Sequence, residues 1–327
     1  MLPGYWQQTF ALGPDPDGEG ELVATLVRRG SPDPEADRAV LLVHGFTDYF
    51  FNTELADYLA ERGFLVYALD LHKCGRSHRD GQTPHFTTDL ARYDVELERA
   101  IDVIAAECDA RVLVYGHSAG GLVVSLWLDR LRRRAETARK GVSGLILNSP
   151  WLDLQGHPIL RTPPTSAALS ALGRLRKLSV VRRPTEGGYG STLHRDYHGE
   201  FDYDLTWKPV GGFPVTFGWI HAIRRGQARL HRGLDVGVPN LILRSDRSVR
   251  EVSDASRIEE IHRGDAVLDV AQIARWAGCI GNRTTIVPIT DAKHDVFLSV
   301  PESRADAYAE MDRWLDWYST DGSGTHG

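Results

Sequence analysis

Arg111-Val112-Leu113-Val114-Tyr115-Gly116-His117-Ser118-Ala119-Gly120-Gly121-Leu122-Val123-Val124 is the stretch whose reading decides the fold. A short β-branched apolar run ends at Gly116. A second run of small and aliphatic residues begins at Ala119. The first reads as a buried strand and the second as a helix, with Gly-x-Ser-x-Gly at their junction. The spacing has a steric reason. A serine carried on so sharp a turn projects its hydroxyl into open space. Glycines at 116 and 120 let strand and helix approach each other. The N-terminus of the following helix then favours negative charge developing beside the serine.

Outward from this stretch, the chain alternates strand and helix. Ala39 to Val43 is a wholly apolar run, as expected for a strand buried on both faces of a parallel sheet, and Leu65 to Leu69 and Val142 to Leu147 read as further buried strands. Helical spacing covers 53–62 and 87–107 between them. A hairpin is expected before them, with strands Gln7 to Leu12 and Glu21 to Arg28. The alternation stops near Trp151. It resumes with strands at 239–244 and 284–289 and a helix over 303–318. This pattern predicts an α/β fold with a doubly wound, mostly parallel sheet. Residues 151–233 hold helix-like pieces at 165–178 and 218–231 between loops rich in proline, glycine and aromatics, and read as an insertion. The tail 319–327, Ser-Thr-Asp-Gly-Ser-Gly-Thr-His-Gly, is expected to be disordered.

Of the 327 residues, 42% are hydrophobic and 25% charged, with a net charge of −6. That composition is ordinary for a globular protein and argues against a nucleic-acid partner. Cys74, Cys108 and Cys279 are few, odd in number and far apart, so neither a disulfide framework nor a zinc site is expected. Met1 to Gln8 lacks a basic and then apolar leader, and no apolar run is long enough for an integral membrane segment. The expected location is cytoplasmic, with no metal and no cofactor. Oligomeric state is left open.

A serine hydroxyl needs a general base, and that base needs an orienting acid. With the serine on a strand-to-helix turn, the acid and then the histidine follow along the chain. His294, in Asp291-Ala292-Lys293-His294-Asp295 after the last strand, is the expected base. Two aspartates compete as its acid. Asp246 stands directly beyond the strand 241–244. Asp265 stands closer to His294 in sequence, leaving room for one helix and one strand. Asp265 is favoured, with 247–263 as an excursion, and Asp246 remains the alternative. The oxyanion calls for two N–H donors, expected from Ala119 after the nucleophile and from Phe46 after the strand 39–43. His44 and His117 read as structural.

With these residues in view, the chain resembles the α/β-hydrolase superfamily. Within it, the chain is similar to the monoacylglycerol lipase and lysophospholipase-like group, which shares its profile with serine aminopeptidases of the S33 type. The matching pieces are Leu42-Val43-His44-Gly45-Phe46, Val66 to Leu71, Gly75-Arg76-Ser77, Gly116 to Gly120, and Ala292 to Asp295. The pattern departs at Lys73-Cys74, where the group carries Gly-His. The resemblance implies an eight-stranded sheet with helices on both faces. It also implies a core of 1–150 and 234–318 and a helical cap over 151–233. The implied activity is a serine hydrolase acting on a small-molecule carboxylic ester of an apolar acyl group, such as a monoacylglycerol or lysophospholipid. The cap aromatics, Trp151, Tyr189, Trp207 and Trp219 among them, suit such a group. Three rival readings are a thioesterase or acyltransferase, an aminopeptidase whose free-amine site is Glu200, Asp202 and Asp204, and a non-catalytic binding protein.

Overall fold

The computed structural model describes residues 2–155, 165, 171–184, 188–249 and 258–322. Its sheet has eight strands: β1 (Tyr5–Pro14), β2 (Glu21–Arg29), β3 (Arg38–Val43), β4 (Leu65–Asp70), β5 (Arg111–His117), β6 (Val142–Asn148), then β9 (Asn240–Ser245) and β10 (Thr284–Ile289). Across the sheet their order is β1-β2-β4-β3-β5-β6-β9-β10. Only β2 runs against the others; β4, β3, β5, β6, β9 and β10 are parallel neighbours. Pro288 lies within β10. An edge strand is where a residue without an N–H is tolerated.

The apolar strands divide their side chains between two cores. Ala39, Leu41 and Val43 face one core with Tyr67, Leu69, Val112 and Val114. Val40 and Leu42 face the other with Val66, Ala68, Leu113 and Tyr115. Successive strand residues point to opposite faces, so a continuous apolar run serves two helical layers at once. The helices α2 (Asp94–Glu107) and α3 (Ala119–Arg133) cover the first face. The helices α1 (Thr53–Glu61) and α7 (Pro301–Trp317) cover the second. Trp127 of α3 is fully buried. Each such large side chain stabilises the fold by about 2–3 kcal/mol.

The helix expected over 87–107 begins later. Leu90–Tyr93 form a 3-10 turn and α2 starts at Asp94. The delay has a local cause: Asp89 caps the turn through Ala91 N, and the Thr88 hydroxyl is held by Asp17. Side chains of this kind compete with helical backbone.

Between β6 and β9 lie a two-stranded ribbon, β7 (Val180–Arg182) with β8 (Val215–Thr216), and the helix α4 (Phe217–Leu230). The helix expected over 218–231 is therefore present. It packs on α3 so closely that a methyl at Gly226 would come within 2.9 Å of Leu126 Cδ1. Ile223 and Leu230 join the first core. Most of the helix expected over 165–178 lies outside the described residues; 171–175 are helical. Two short helices, α5 (Ile258–His262) and α6 (Val270–Trp276), separate β9 from β10. Tyr318–Gly322 follow α7 as a π-helical turn. Residues 323–327 of the expected tail lie outside the described residues.

Candidate active site

Ser118 sits between β5 and α3 with φ 52° and ψ −120°, a conformation that costs a non-glycine residue about 1–3 kcal/mol and must be held by its surroundings. The restraint is visible in the backbone. Ser118 N donates to Asn148 O at 3.0 Å, and Trp151 N donates to Ser118 O at 3.0 Å. Both glycines of the turn are sterically required. A methyl at Gly116 would come within 2.7 Å of Val124 Cγ2, and one at Gly120 would collide with His44 O. The second contact seats the loop after β3 directly on the serine turn.

His294 lies beyond the end of β10. Its Nε2 is 2.9 Å from Ser118 Oγ and its Nδ1 is 2.9 Å from Asp265 Oδ2. The three side chains are buried. A carboxylate only accepts, so Nδ1 carries the proton and the Nε2 lone pair faces the serine hydroxyl. The other carboxylate oxygen, Asp265 Oδ1, accepts from Val267 N and Leu268 N, each at 2.8 Å. Asp265 is thus fixed on both sides.

Of the two competing aspartates, it is Asp265 that the fold brings to His294. Asp265 N donates to Arg247 O at 3.0 Å and Val249 N donates to Asp265 O at 2.9 Å. This short ladder returns the excursion after residue 247 to the end of β9. Asp265 is therefore spatially where an acid following β9 belongs, despite its distance along the chain. Asp246 has other partners. It accepts from Asp291 N at 3.1 Å and pairs with Arg247 at 3.1 Å, tying the ends of β9 and β10 together.

Ala119 opens α3 and Phe46 follows β3; among the described residues neither N–H has a partner within the protein. The first N–H groups of a helix are free for an outside acceptor. The loop before Phe46 is held by His44. Its Nδ1 donates to Gly45 O at 2.8 Å and its Nε2 accepts from Leu71 N at 3.1 Å. His44, Cys74 and His85 also place three metal-type donor atoms within 4.8 Å of one another. With both His44 nitrogens engaged, that group lacks a free third ligand. His117 Nδ1 donates to Asn148 O at 3.1 Å, since a carbonyl oxygen only accepts.

Ser118 and His294 line a cleft that opens to solvent. Its apolar wall includes Phe46, Trp151, Tyr189, Leu193, Phe213 and Trp219. Trp207 and Phe201 do not line the cleft; they pack with Tyr49 and Phe51 in a cluster that shares Leu193 and Tyr189 with its wall, and Tyr197 is exposed. Charge in the cleft is mostly positive. Arg182, Arg183 and Lys208 line it, and Asp48 is the only carboxylate among the described lining residues. Burial alone would raise the Asp48 carboxyl, but the Lys208 ammonium together with His117 and His44 outweighs it and holds the group below its ordinary value. Glu200, Asp202 and Asp204 do not line the cleft. Glu200 pairs with Arg304 at 2.9 Å, Asp202 with Arg195, and Asp204 accepts from Thr206 N at 2.7 Å.

A family model described as serine aminopeptidase, S33, matches residues 34–265. The chain belongs to the serine aminopeptidase S33 family. Among solved structures, this S33-family chain is similar to a soluble variant of monoglyceride lipase from Saccharomyces cerevisiae in complex with a substrate analog. Identity is 17%, with 95% of this chain and 96% of that one covered and a TM-score of 0.63. The Paleococcus ferrophilus monoacylglycerol lipase is 18% identical over 95% and 98% of the two chains, with a TM-score of 0.59. A lipase in its open form is 15% identical over 96% and 100%, with a TM-score of 0.62. These likenesses show the α/β-hydrolase fold. No curated protein matches the sequence. Among the described residues no helix is long and apolar enough to cross a membrane.

Two residues of this S33-family site escaped the reading of the sequence. Asn148 ends β6 fully buried. Its Nδ2 donates to Asp295 Oδ1 at 2.7 Å and its Oδ1 accepts from Val296 N at 3.2 Å. One side chain thus joins the serine's strand neighbour to the loop carrying His294. The available signal was a lone amide closing the apolar run Leu145 to Leu147. The second residue is Lys293, buried beside His294, whose Nζ donates to Thr192 O at 2.7 Å.

Burial pulls the Lys293 ammonium down from 10.5 to about 8. Below pH 8 the folded and unfolded chains both hold this proton, and the cost of burying the charge is fully present. Between 8 and 10.5 only the unfolded chain holds it, so stability rises with pH across that window. Urea unfolding of the wild type should gain about 2–3 kcal/mol from pH 7 to pH 10 relative to Lys293→Met. Parallel pH curves for the two proteins would refute this account.

Proposed function

We propose that the protein is a serine hydrolase that cleaves carboxylic esters of apolar acyl groups through an acyl-enzyme on Ser118. One observation carries the reading: a buried hydrogen-bonded line from Asp265 through His294 to Ser118, whose last two members line a cleft with an apolar wall. His294 Nε2 takes the proton as Ser118 Oγ attacks the ester carbonyl carbon. The carbonyl oxygen becomes an oxyanion between the N–H groups of Phe46 and Ala119. The intermediate collapses as His294 returns its proton to the departing alkoxide, leaving the acyl-enzyme. Water then gives a proton to His294 and attacks the acyl carbon; the second intermediate breaks its bond to Ser118 Oγ, which takes the proton back from His294, and the carboxylic acid departs. Asp265 stays ionised throughout and stabilises the imidazolium. Residues 151–233 serve as the cap that supplies much of the cleft wall.

The charge of the cleft favours an ester over a peptide with a free amino terminus. An ammonium group calls for a carboxylate, and the only one among the described lining residues is already paired with Lys208. The deciding experiment is a panel of 4-nitrophenyl esters graded by acyl length, run beside an acyl thioester and an aminoacyl anilide. Each methylene that enters the apolar wall should raise kcat/KM up to about four-fold, from about 0.8 kcal/mol per buried methylene. A fluorophosphonate should label Ser118. Turnover of the anilide alone, or an unlabelled serine, would rule the ester reading out.

A further inference from the structure

The loop proposed to carry one oxyanion donor is held from outside. Thr47, the residue after Phe46, has φ 54°, in the left-handed region that a β-branched residue enters only under restraint. Three contacts from residues 204–213 supply that restraint. Phe213 N donates to Thr47 Oγ1 at 3.0 Å, Lys208 Nζ donates to Asp48 Oδ1 at 2.7 Å, and Asp204 N donates to Tyr49 OH at 2.7 Å. Each reaches a different one of three consecutive loop residues.

The segment that makes these contacts is itself internally braced. Trp207 N and Lys208 N both donate to Asp204 O, at 3.1 and 2.9 Å, and Gly212 N donates to Pro209 O at 2.9 Å. The middle contact is the strongest. Lys208 is 8% and Asp48 6% exposed, and the ammonium lies 5.2 Å from the Phe51 ring centre and 5.8 Å from that of Tyr203. Among aromatic rings with little water, losing one partner leaves the other charge buried and uncompensated.

We propose that residues 204–213 form a clamp on the oxyanion loop, with Lys208 as its positioning residue. By holding Asp48, Lys208 keeps Thr47 in its strained conformation and so aims the Phe46 N–H at the developing oxyanion. Lys208 does not touch the reacting atoms. The inference rests on the proposed roles of Ser118 and Phe46.

The test uses the full chain and a 4-nitrophenyl ester. Lys208→Met should lower kcat by about 10- to 100-fold, short of the roughly 100- to 1000-fold that deleting an oxyanion donor costs, with KM within about two-fold. Affinity for a trifluoromethyl ketone, whose adduct with Ser118 bears the oxyanion, should fall by the same factor. Lys208→Arg should restore most of both. The double variant Asp48→Asn, Lys208→Met removes the unpaired charge that would unfold the single variant, and it should show the same parallel losses. Unchanged kcat and ketone affinity in a folded Lys208→Met or double variant would overturn the clamp while leaving the ester hydrolase standing. A wild-type protein inert towards every ester would overturn the hydrolase reading, and the clamp with it.

Discussion

Ser118→Ala should lower ester turnover by about ten-thousand-fold or more while the protein stays folded. The hydroxyl has one side-chain partner, His294 Nε2 at 2.9 Å. Its removal deletes the proposed nucleophile and leaves the packing in place. Alanine fits the same backbone, because the strained φ of 52° comes from the restraints on Ser118 N and O, which do not involve the side chain. Stability should change by less than about 1 kcal/mol. The measurement is burst and steady-state release of 4-nitrophenol, with urea unfolding as the control for folding. A folded variant that keeps more than a few per cent of wild-type turnover would mean the reaction runs through some other group.

Asp265→Asn should be almost as damaging, at about ten-thousand-fold in kcat, and for a reason that can be followed atom by atom. Asp265 Oδ1 accepts from Val267 N and Leu268 N. A carboxamide satisfies those two donors only with its oxygen, which turns its NH2 towards His294 Nδ1. An NH2 there donates, so the imidazole must carry its proton on Nε2. That nitrogen then cannot accept from Ser118. Asp246→Asn serves as the contrast. Its partners are Asp291 N and Arg247, and turnover should stay within a few-fold of wild type. Equal losses in the two variants, or a greater loss at Asp246, would reverse the assignment of the acid.

The two aspartates mark the limit of what could be read along the chain. Spacing from His294 favoured Asp265, but spacing does not say which carboxylate ends beside the imidazole. That depends on a backbone ladder between Arg247–Val249 and Asp265, which joins segments separated by an excursion. The acidic trio Glu200, Asp202 and Asp204 makes the same point. Its composition suited an amine site, yet its members face arginines and a backbone turn outside the cleft. The aromatics between 151 and 219 divided as well, with Trp151 and Trp219 in the cleft wall and Trp207 outside it, packed with Tyr49 and Phe51.

By itself the sequence determined the strands of the eight-stranded sheet, the strand-to-helix turn at Ser118 and the class of fold, though not the ribbon of β7 and β8. Each of these follows from interactions between near neighbours: two-residue alternation between cores, three- to four-residue helical spacing, and the need for glycine where backbones approach. The tertiary structure alone decided which carboxylate meets His294, that Asn148 ties β6 to the His294 loop, which charges face the cleft, and that Lys208 grips the loop beside Phe46. Those are contacts between residues far apart in the chain. Their geometry is set by how whole elements pack, and no local pattern of residue types encodes it.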